Sequence, residues 1–495
     1  MTMPEFDTEK LLSLLRFEEG NPLLFNSGMF LILFCGFILI YQLMRKVRVA
    51  KMLFVILFSL YFYYKSSAEY CFILLGVCVS DYLLGILLGD CTRTWQRKGV
   101  VWINVLMNVG MLVYFKYLNL IYETVCSFAS VEFNALDIVL PAGISFFTFR
   151  SISYIVDIYR KQIEPCRDFI SYTFFLTFFP PLLAGPVVRA KDLLPQIASN
   201  PTADRAMMSE GFFLIMCGLV KKVVIADFIS QNFVDRIFDN PSLYSGFENL
   251  MGMYGFFIQL YCDFSGYTDM AIGIALLLGF RFPDNFRAPF KAQNPTEFWH
   301  RWHISLSSWL RDYVYIPLGG NRCGKIRRNA NLMATMLIGG LWHGASWMYM
   351  IWGGLQGVFL VGHKVLSGDK HKRNSEPATG WRMVFNVFVT FNLLAISFMI
   401  FRAHSMQAVC EMGTQIFTDF HLSVAPQFIE GYLMIVLVMI GALLMHFLPT
   451  KWTENLIVRY SKFPILLQAF VLVIVIFIVI QARQSDIMPF IYFQY

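Results

Sequence analysis

Long apolar runs recur along this sequence, and they limit the chain to folds that pair their backbone groups inside a membrane. Of the 495 residues, 57% are hydrophobic and only 15% are charged, whereas soluble chains carry about 25% charged residues. In hydrocarbon every backbone N–H and C=O must be paired within the protein, so only helices and closed barrels cross a membrane. The runs are continuous rather than alternating, which favours helices. We therefore expect an all-α polytopic membrane protein.

The apolar runs also predict where the membrane spans lie. A span needs about 20 apolar residues, and several runs are shorter or are interrupted by proline and glycine. We therefore expect about eleven transmembrane helices, with the other segments re-entrant or interfacial. The predicted segments are 27–43, 52–64, 70–89, 101–122, 136–157, 170–187, 208–230, 247–262, 266–280, 330–348, 350–363, 383–401, 430–448 and 463–481.

Charged residues predict the topology. Arg45, Lys46 and Arg48 follow the first run and mark the cytoplasmic side of the membrane, which places the N-terminus outside the cell. The net charge of +7 has the same origin, so we do not interpret it as a sign of nucleic-acid binding. Residues 1–22 hold five acidic side chains, too many for a signal peptide, and are expected to form an extracytoplasmic amphipathic segment. No polar stretch is long enough for a soluble domain, so 1–495 is expected to be a single membrane domain.

Two histidines stand in aromatic and apolar surroundings. His303 lies in Trp-His-Ile-Ser-Leu-Ser at 302–307, and His343 lies in Leu-Trp-His-Gly-Ala-Ser-Trp at 341–347. An ionisable side chain at membrane depth is costly, so each is a functional candidate. A buried imidazole is pushed toward its neutral form, which can take a hydroxyl proton as a general base. A histidine that only packs, or that hydrogen-bonds lipid or backbone at the interface, fits the same composition.

The segment 295–311 predicts one aromatic and basic helix at the membrane interface, opened by Pro295. His300 and His303 are three residues apart and would share a face of that helix. A metal would need a third ligand, for which Glu297 is the only local candidate, so we expect no metal site. The ten cysteines form no Cys-x-x-Cys pair, which gives no zinc or redox motif.

The segment Tyr261–Asp269 places polar groups between two predicted spans. Its candidates for substrate contact are Asp263, Ser265, Tyr267 and Asp269. Carboxylates at this depth must face protein or water rather than lipid. They would orient a substrate or cap a broken helix, and we favour the structural role.

Three prolines within 180–186 predict an unwound or re-entrant segment that lines a cavity. Arg189 and Lys191 follow it directly. They would bind a negatively charged cofactor or serve as cytoplasmic anchors, and the sequence favours neither.

Short motifs of glycine, aromatic and polar residues are spread along essentially the whole chain. They are Leu24–Ser27, Gly143–Phe149, Phe179–Pro186, Lys221–Asp227, Asp263–Tyr267, Glu297–Trp299, Arg301–Ser307, Leu310–Tyr313, Gly319–Arg322, Gly340–Gly344 and Pro489–Gln494. In these motifs and their order the chain resembles the membrane-bound O-acyltransferase family, and more narrowly its bacterial alginate O-acetyltransferase branch.

The resemblance implies a ring of helices around a central tunnel, in the inner membrane of a bacterial cell. An acyl thioester such as acetyl-CoA would enter from the cytoplasm as a substrate, with no permanently bound cofactor, and a glycan acceptor would approach from outside. His343 matches the family's catalytic histidine. His303 matches its second signature histidine, within a cytoplasmic or interfacial region at 281–328. Further tunnel candidates in the matched segments are Trp302, Ser305, Arg311, Asp312, Asn321 and Trp342.

The implied reaction moves an acyl group, expected to be acetyl, from the thioester to a hydroxyl of an exported or cell-surface polysaccharide. Many relatives hand the group to an extracytoplasmic acetyltransferase partner, and the sequence leaves this open. The alternatives are D-alanyl transfer to teichoic acid from a carrier protein and a conduit without chemistry. Two departures leave the acceptor open: His300 stands where relatives often carry Arg, and Gln356 where the branch often has another His.

Overall fold

The computed structural model describes residues 15–18, 22–368 and 378–482, and within these ranges the chain is helical without any strand. This confirms the all-α expectation. The predicted segment 1–22 lies mostly outside the described residues, and the motif Pro489–Gln494 lies wholly outside them. The chain divides into two compact units, of which unit 1 is Met1–Leu118, Asn134–Ala184 and Val188–Thr202, and unit 2 is Asn119–Phe133, Gly185–Val187 and Ala203–Tyr495. The expected single domain stays a prediction.

The described α-helices are numbered here in chain order. They are α1 (Gly28–Leu43), α2 (Arg48–Ser67), α3 (Cys71–Asp90), α4 (Thr94–Leu112), α5 (Leu118–Ala129), α6 (Ile144–Tyr159), α7 (Phe169–Thr177), α8 (Ala190–Ser199), α9 (Arg205–Leu219), α10 (Asp235–Asp239), α11 (Gly246–Leu277), α12 (Pro295–Arg301), α13 (Ile304–Leu310), α14 (Lys325–His343), α15 (Trp347–Leu366), α16 (Gly380–Arg402), α17 (Met406–Thr418), α18 (Ala425–Gly431), α19 (Leu433–Phe447), α20 (Thr450–Lys462) and α21 (Ile465–Ala482). Wider π-helical turns occur at Val113–Tyr117, Val220–Asp227, Ser230–Val234 and Arg311–Tyr315.

Within the described ranges, four helical stretches are long and apolar enough to cross a membrane. They are Gly28–Lys46, Arg48–Asp90, Thr94–Ala129 and Gly380–Arg402. The pair Leu422–Gly431 and Leu433–Phe447, bent by 95°, adds a fifth if it forms one broken span. The expected eleven spans are not confirmed. A count based on hydropathy leaves out a helix such as α11, because the carboxylates and hydroxyls of that helix lower its mean hydropathy.

Four of the predicted segments differ from the structure as follows. The segments 247–262 and 266–280 are one helix, α11, whose 32 residues open with a capping box between Ser245 and Glu248. The segment 330–348 ends earlier, because α14 stops at His343. The segment 295–311 is two helices, α12 and α13, because the backbone at His303 adopts a left-handed conformation with φ of 44°.

A buried carboxylate joins four elements of unit 1. Asp81 of α3 accepts hydrogen bonds of 2.8 Å each from Asn104 of α4, Ser151 of α6 and the Tyr172 hydroxyl of α7. All four side chains are shielded from solvent. A buried polar group is costly unless it is hydrogen-bonded, so this network specifies how the four helices pack.

The proline-rich segment after α7 is irregular, as the sequence predicted. Residues 178–189 form no helix, and every one of them is buried. Within unit 1, Phe179 is surrounded by six phenylalanine rings at centroid distances of 5.0–6.4 Å. Gly143, with φ of +71°, lies so close to this segment that a Cβ there would be 2.5 Å from the Leu182 carbonyl oxygen. Only glycine fits both that backbone conformation and that contact.

Glycines bring the helices of unit 2 into backbone contact. Gly218 of α9 faces Gly266 of α11, where a Cβ on either residue would lie within 2.8 Å of the other's carbonyl oxygen. Gly340 of α14 faces Gly353 of α15 in the same way, with a Gly340 Cβ 2.9 Å from the Gly353 Cα. Small residues permit such close approach where no side chain intervenes. The second contact lies one turn before His343.

Two adjacent glycines of α15 provide a matched test of this packing. A Gly353 Cβ would lie 2.5 Å from the Met336 carbonyl oxygen, whereas the nearest atom to a Gly354 Cβ is Leu337 Cδ2 at 3.5 Å. We expect Gly353→Ala to lower stability by about 1–3 kcal/mol through overpacking. Gly354→Ala should leave it equal or higher, because alanine favours helix. Thermal unfolding of the detergent-purified variants measures both changes in stability. Equal changes in melting temperature for the two variants would contradict the close contact between Gly353 and α14.

Candidate active site

His303 lies at a sharp turn that directs its imidazole into unit 2. The turn separates α12 from α13, and the residue is fully buried. A left-handed conformation costs a residue other than glycine roughly 1–3 kcal/mol, and it persists only where the surroundings enforce it. Here the N–H of Ile304 donates to the Asn285 carbonyl at 2.9 Å, and the N–H of Trp302 donates to Phe298 at 2.8 Å. Backbone bonds on both sides therefore hold the turn.

Asn285 binds the imidazole of His303 and the first turn of α13. Its Oδ1 lies 3.1 Å from His303 Nδ1 and accepts from the Ser305 N–H at 3.2 Å and the Ser305 hydroxyl at 2.8 Å. Its Nδ2 donates to Thr268 Oγ1 of α11 at 3.3 Å. The Ser305 hydroxyl in turn accepts from the Val187 N–H at 2.9 Å. The imidazole is therefore part of a continuous buried network.

Aromatic rings enclose the rest of the His303 imidazole. Phe264 packs perpendicular to it at a centroid distance of 4.6 Å, Trp342 lies at 5.8 Å and Phe286 at 6.5 Å. Among the described residues, Nε2 has no hydrogen-bond partner. His303 lies outside the candidate spans, and burial lowers the pKa of its imidazole to about 3. The ring is therefore neutral at physiological pH.

His343 ends α14 within a second aromatic enclosure. It is 5% exposed, and the rings of Trp342, Trp352 and Phe401 pack against it at 5.0, 5.2 and 5.3 Å. The chain then passes Tyr349 so closely that a Cβ on Gly344 would lie 2.2 Å from that ring. Trp342 contacts both imidazoles, so the structure brings the two predicted histidines into one cluster.

The prediction that His300 and His303 share a helix face is wrong. The helix ends between them, so His300 is exposed on α12 whereas His303 is buried. Trp302 is a core residue, packed against Phe286 at 5.1 Å and Phe298 at 5.4 Å.

Gln356 bridges three helices at the position where the resemblance would place a histidine. Its Oε1 accepts from the Trp299 indole of α12 at 3.3 Å, and its Nε2 donates to Ser397 of α16 at 2.7 Å. The Gln356 amide is fully buried, and both its oxygen and its nitrogen have a hydrogen-bond partner. This geometry assigns Gln356 to packing beside the cluster.

The predicted carboxylates of α11 form two ion pairs, of which the Asp263 pair is buried and the Asp269 pair is partly exposed. Asp263 accepts from Lys222 Nζ at 2.6 Å, and the same ammonium lies 2.8 Å from Asp227. Asp269 pairs with Lys221 at 2.6 Å. Both lysines belong to the π-helical turn Val220–Asp227. The pairs favour a bracing role for these carboxylates, in the middle of a continuous helix rather than at a broken one.

The other candidates divide into buried and exposed positions. Ser265 and Tyr267 of α11 are 1% and 2% exposed, as core residues of unit 2. Arg311 pairs with Asp312 at 2.8 Å, and its side chain is 60% exposed. Asn321, also exposed, accepts from the Tyr315 hydroxyl at 2.7 Å. These last three hold surface contacts rather than a place in the histidine cluster.

Arg189 and Lys191 belong to unit 1. Arg189 is 7% exposed at the N-terminal boundary of α8, whereas Lys191 in its first turn is exposed. Only Arg189 is thus placed within the protein interior.

Comparison with known proteins decides the family. The chain is 40% identical over 404 residues to the protein named "Probable alginate O-acetylase" of Pseudomonas aeruginosa, which covers 80% of this chain and 75% of that protein. The family model of the membrane-bound O-acyltransferases matches residues 166–403, which include both histidines and Asn285. This chain belongs to the membrane-bound O-acyltransferase family.

More distant relatives of this acyltransferase act on other polymers by name. A peptidoglycan O-acetyltransferase of Helicobacter pylori is 33% identical over 79% of each chain. A teichoic acid D-alanyltransferase of Streptococcus thermophilus is 31% identical over 282 residues, which are 52% of this chain and 67% of that protein. These relatives are enzymes, so the chain is an acyltransferase rather than a conduit without chemistry.

Sequence reasoning missed Asn285, which contacts His303, and it placed Thr268 in the polar segment Tyr261–Asp269 without making it a substrate candidate. Asn285 lies in the loop between α11 and α12, where a short polar side chain reads as an ordinary turn residue. The available signal was position, because loop residues beside a signature motif often carry function.

The ion pairs of α11 predict a large stability difference between two cation substitutions. Lys222→Met leaves buried carboxylates without their cation, which typically costs about 3–5 kcal/mol. Arg281→Met removes a largely exposed partner of Glu210 and should cost at most about 1 kcal/mol. Thermal unfolding of both purified variants tests this. Equal losses would contradict the bracing role of the buried pair.

Proposed function

We propose that this acyltransferase moves an acetyl group from acetyl-CoA, or a related acyl thioester, to a hydroxyl of an exported or cell-surface polysaccharide. The observation that carries the proposal is the pair of buried imidazoles, His303 and His343, joined across Trp342 within an aromatic enclosure. The names of the relatives support an O-acetyl product and a polysaccharide acceptor. The donor and acceptor of this chain are part of the proposal.

The chemistry requires one base and one reversible proton transfer. The acceptor hydroxyl attacks the thioester carbonyl carbon while His343 takes its proton. The tetrahedral intermediate then expels the thiolate, and the protonated His343 returns the proton to sulfur. The products are an acetyl ester of the acceptor and a free thiol. The proton is conserved, and no other reactant is needed.

The aromatic enclosure suits a transfer that must avoid hydrolysis. Trp342, Trp352 and Phe401 cover the faces and edges of His343, which leaves little of the imidazole open to water. Excluding water protects the thioester from hydrolysis and strengthens polar interactions at the reacting atoms. His303 would act beside it, as a supporting group on the donor side.

The location follows from the same proposal. The chain is a membrane protein, and we place it in the inner membrane of a bacterial cell with its N-terminus outside. The thioester would then reach the site from the cytoplasm and the glycan, or an extracytoplasmic acetyltransferase partner, from the other side. Arg189 is the better of the two proposed contacts for the anionic donor, because it is the buried one.

Substituting the buried His343 and the exposed His300 tests whether His343 is the general base. We expect His343→Ala to reduce transfer of labelled acetyl from acetyl-CoA to surface glycan by about 10²–10⁴-fold, the usual contribution of a general base. His300→Ala, three residues from His303 but exposed, should retain activity within a few-fold. Full activity of His343→Ala, with normal folding, would overturn the assignment.

D-alanyl transfer is the second candidate, favoured by the similarity to the D-alanyltransferase over half of this chain. Purified enzyme offered acetyl-CoA and a D-alanyl carrier protein in parallel separates the two. If the enzyme consumes only the carrier thioester, D-alanyl transfer becomes the supported function and acetyl transfer is ruled out.

A further inference from the structure

The contacts of Asn285 determine which nitrogen of His303 carries the proton. A backbone N–H can only donate, so the Asn285 atom that faces the Ser305 N–H at 3.2 Å must be the oxygen Oδ1. The Ser305 hydroxyl, already an acceptor of the Val187 N–H, donates to the same oxygen. These two donors fix the orientation of the Asn285 amide, with Oδ1 toward Ser305 and Nδ2 toward Thr268.

The same oxygen faces the imidazole. Because Oδ1 has no proton to give, the contact of 3.1 Å to His303 Nδ1 is a hydrogen bond only if Nδ1 carries the proton. In a neutral ring Nε2 then holds a lone pair. Nε2 is buried and has no partner among the described residues. The remaining contacts of the ring are aromatic, and none of these side chains is hydrogen-bonded to Nε2.

We propose that Asn285 is a positioning residue that holds His303 with its proton on Nδ1, so that Nε2 accepts a hydrogen bond from a hydroxyl or amide N–H of the bound substrates. The role in turnover rests on the proposed function, whereas the proton position is a property of the resting protein. His303 in this state accepts from a substrate and does not protonate the leaving thiolate. The group that transfers the proton is then His343.

The surroundings of the ring carry no competing charge. Phe264 of α11, Phe286 of the loop and Trp342 of α14 pack against it, and none of them titrates. The nearest titratable neighbours along those elements are Tyr267, His343, Asp263, which is paired with Lys222, and the loop residues Asp284 and Arg287, which pair with each other at 3.0 Å on the surface. A carboxylate placed at 285 would therefore be the one new charge acting directly on the imidazole.

The proton position is measured on the intact wild-type protein by ¹⁵N NMR with labelled histidine, where the His303 signals are identified by their loss in His303→Gln. We expect a neutral ring with the proton on Nδ1 at pH 7. A proton on Nε2, or a doubly protonated ring, overturns the proposal. This result does not depend on activity, so it is separable from a failure of the proposed acyl transfer.

Two substitutions of Asn285 then test the role in turnover. Asn285→Ala removes the acceptor and should lower transfer about 10²-fold at every pH. Asn285→Asp keeps an acceptor, and the Thr268 hydroxyl can rotate to donate to it. Its carboxylate raises the pKa of the His303 imidazole, so Nε2 becomes protonated as the pH falls. We expect activity near that of wild type at high pH and an added loss of about tenfold for each pH unit below the new pKa.

The control is Asn331→Asp, a buried asparagine whose Nδ2 donates to the Leu318 carbonyl. It should lower stability without adding an acidic limb to the pH profile. At low pH, a higher KM of Asn285→Asp for acetyl-CoA identifies the donor as the bonded group, and a higher KM for the glycan identifies the acceptor. A pH profile of Asn285→Asp parallel to that of wild type overturns the proposal.

Discussion

The ion pair between Lys222 and Asp263 is the interaction on which the site depends. Two charges are taken out of water here, so each requires the other, and separating them would cost far more than a surface pair. The pair holds α11 against the π-helical turn that follows α9, and the facing glycines Gly218 and Gly266 let the two backbones touch at the same level. The residue after Asp263 is Phe264, which packs on the His303 ring, and one turn further on is Thr268, which binds Asn285. A polar contact in the interior thus sets two walls of the histidine site.

Much of the site could be predicted from sequence, because its signals are local. His303 and His343 each stand in a short aromatic and apolar motif, and three prolines in seven residues exclude a regular helix at 180–186. The family motifs gave the order of these segments along the chain. The structure then confirmed an all-helical fold and an irregular buried segment, and it joined the two histidines through Trp342, the residue that precedes one of them.

Other features depend on contacts between distant residues, and no local pattern shows them. The segment 295–311 has the composition of one helix, yet His303 leaves it because Asn285, ten residues before Pro295, provides backbone and side-chain partners for the turn. The carboxylates Asp263 and Asp269 suggested a break in α11 because their lysine partners lie about 40 residues earlier in the chain. The expected eleven spans stay unconfirmed for a related reason: a hydropathy count treats a charge as exposed to lipid, whether or not a partner neutralises it.

The contact between Gly340 and Gly353 has a consequence for altering this enzyme. Where two main chains touch directly, the spacing of the helices does not depend on the size or shape of any side chain between them. The Cα of His343, one turn beyond Gly340, is therefore placed by backbone geometry alone. Trp352 and Phe401, which surround its imidazole, lie outside this backbone contact, so they shape the enclosure rather than the position of that Cα. The same backbone contact can therefore carry enclosures of different size around the histidine.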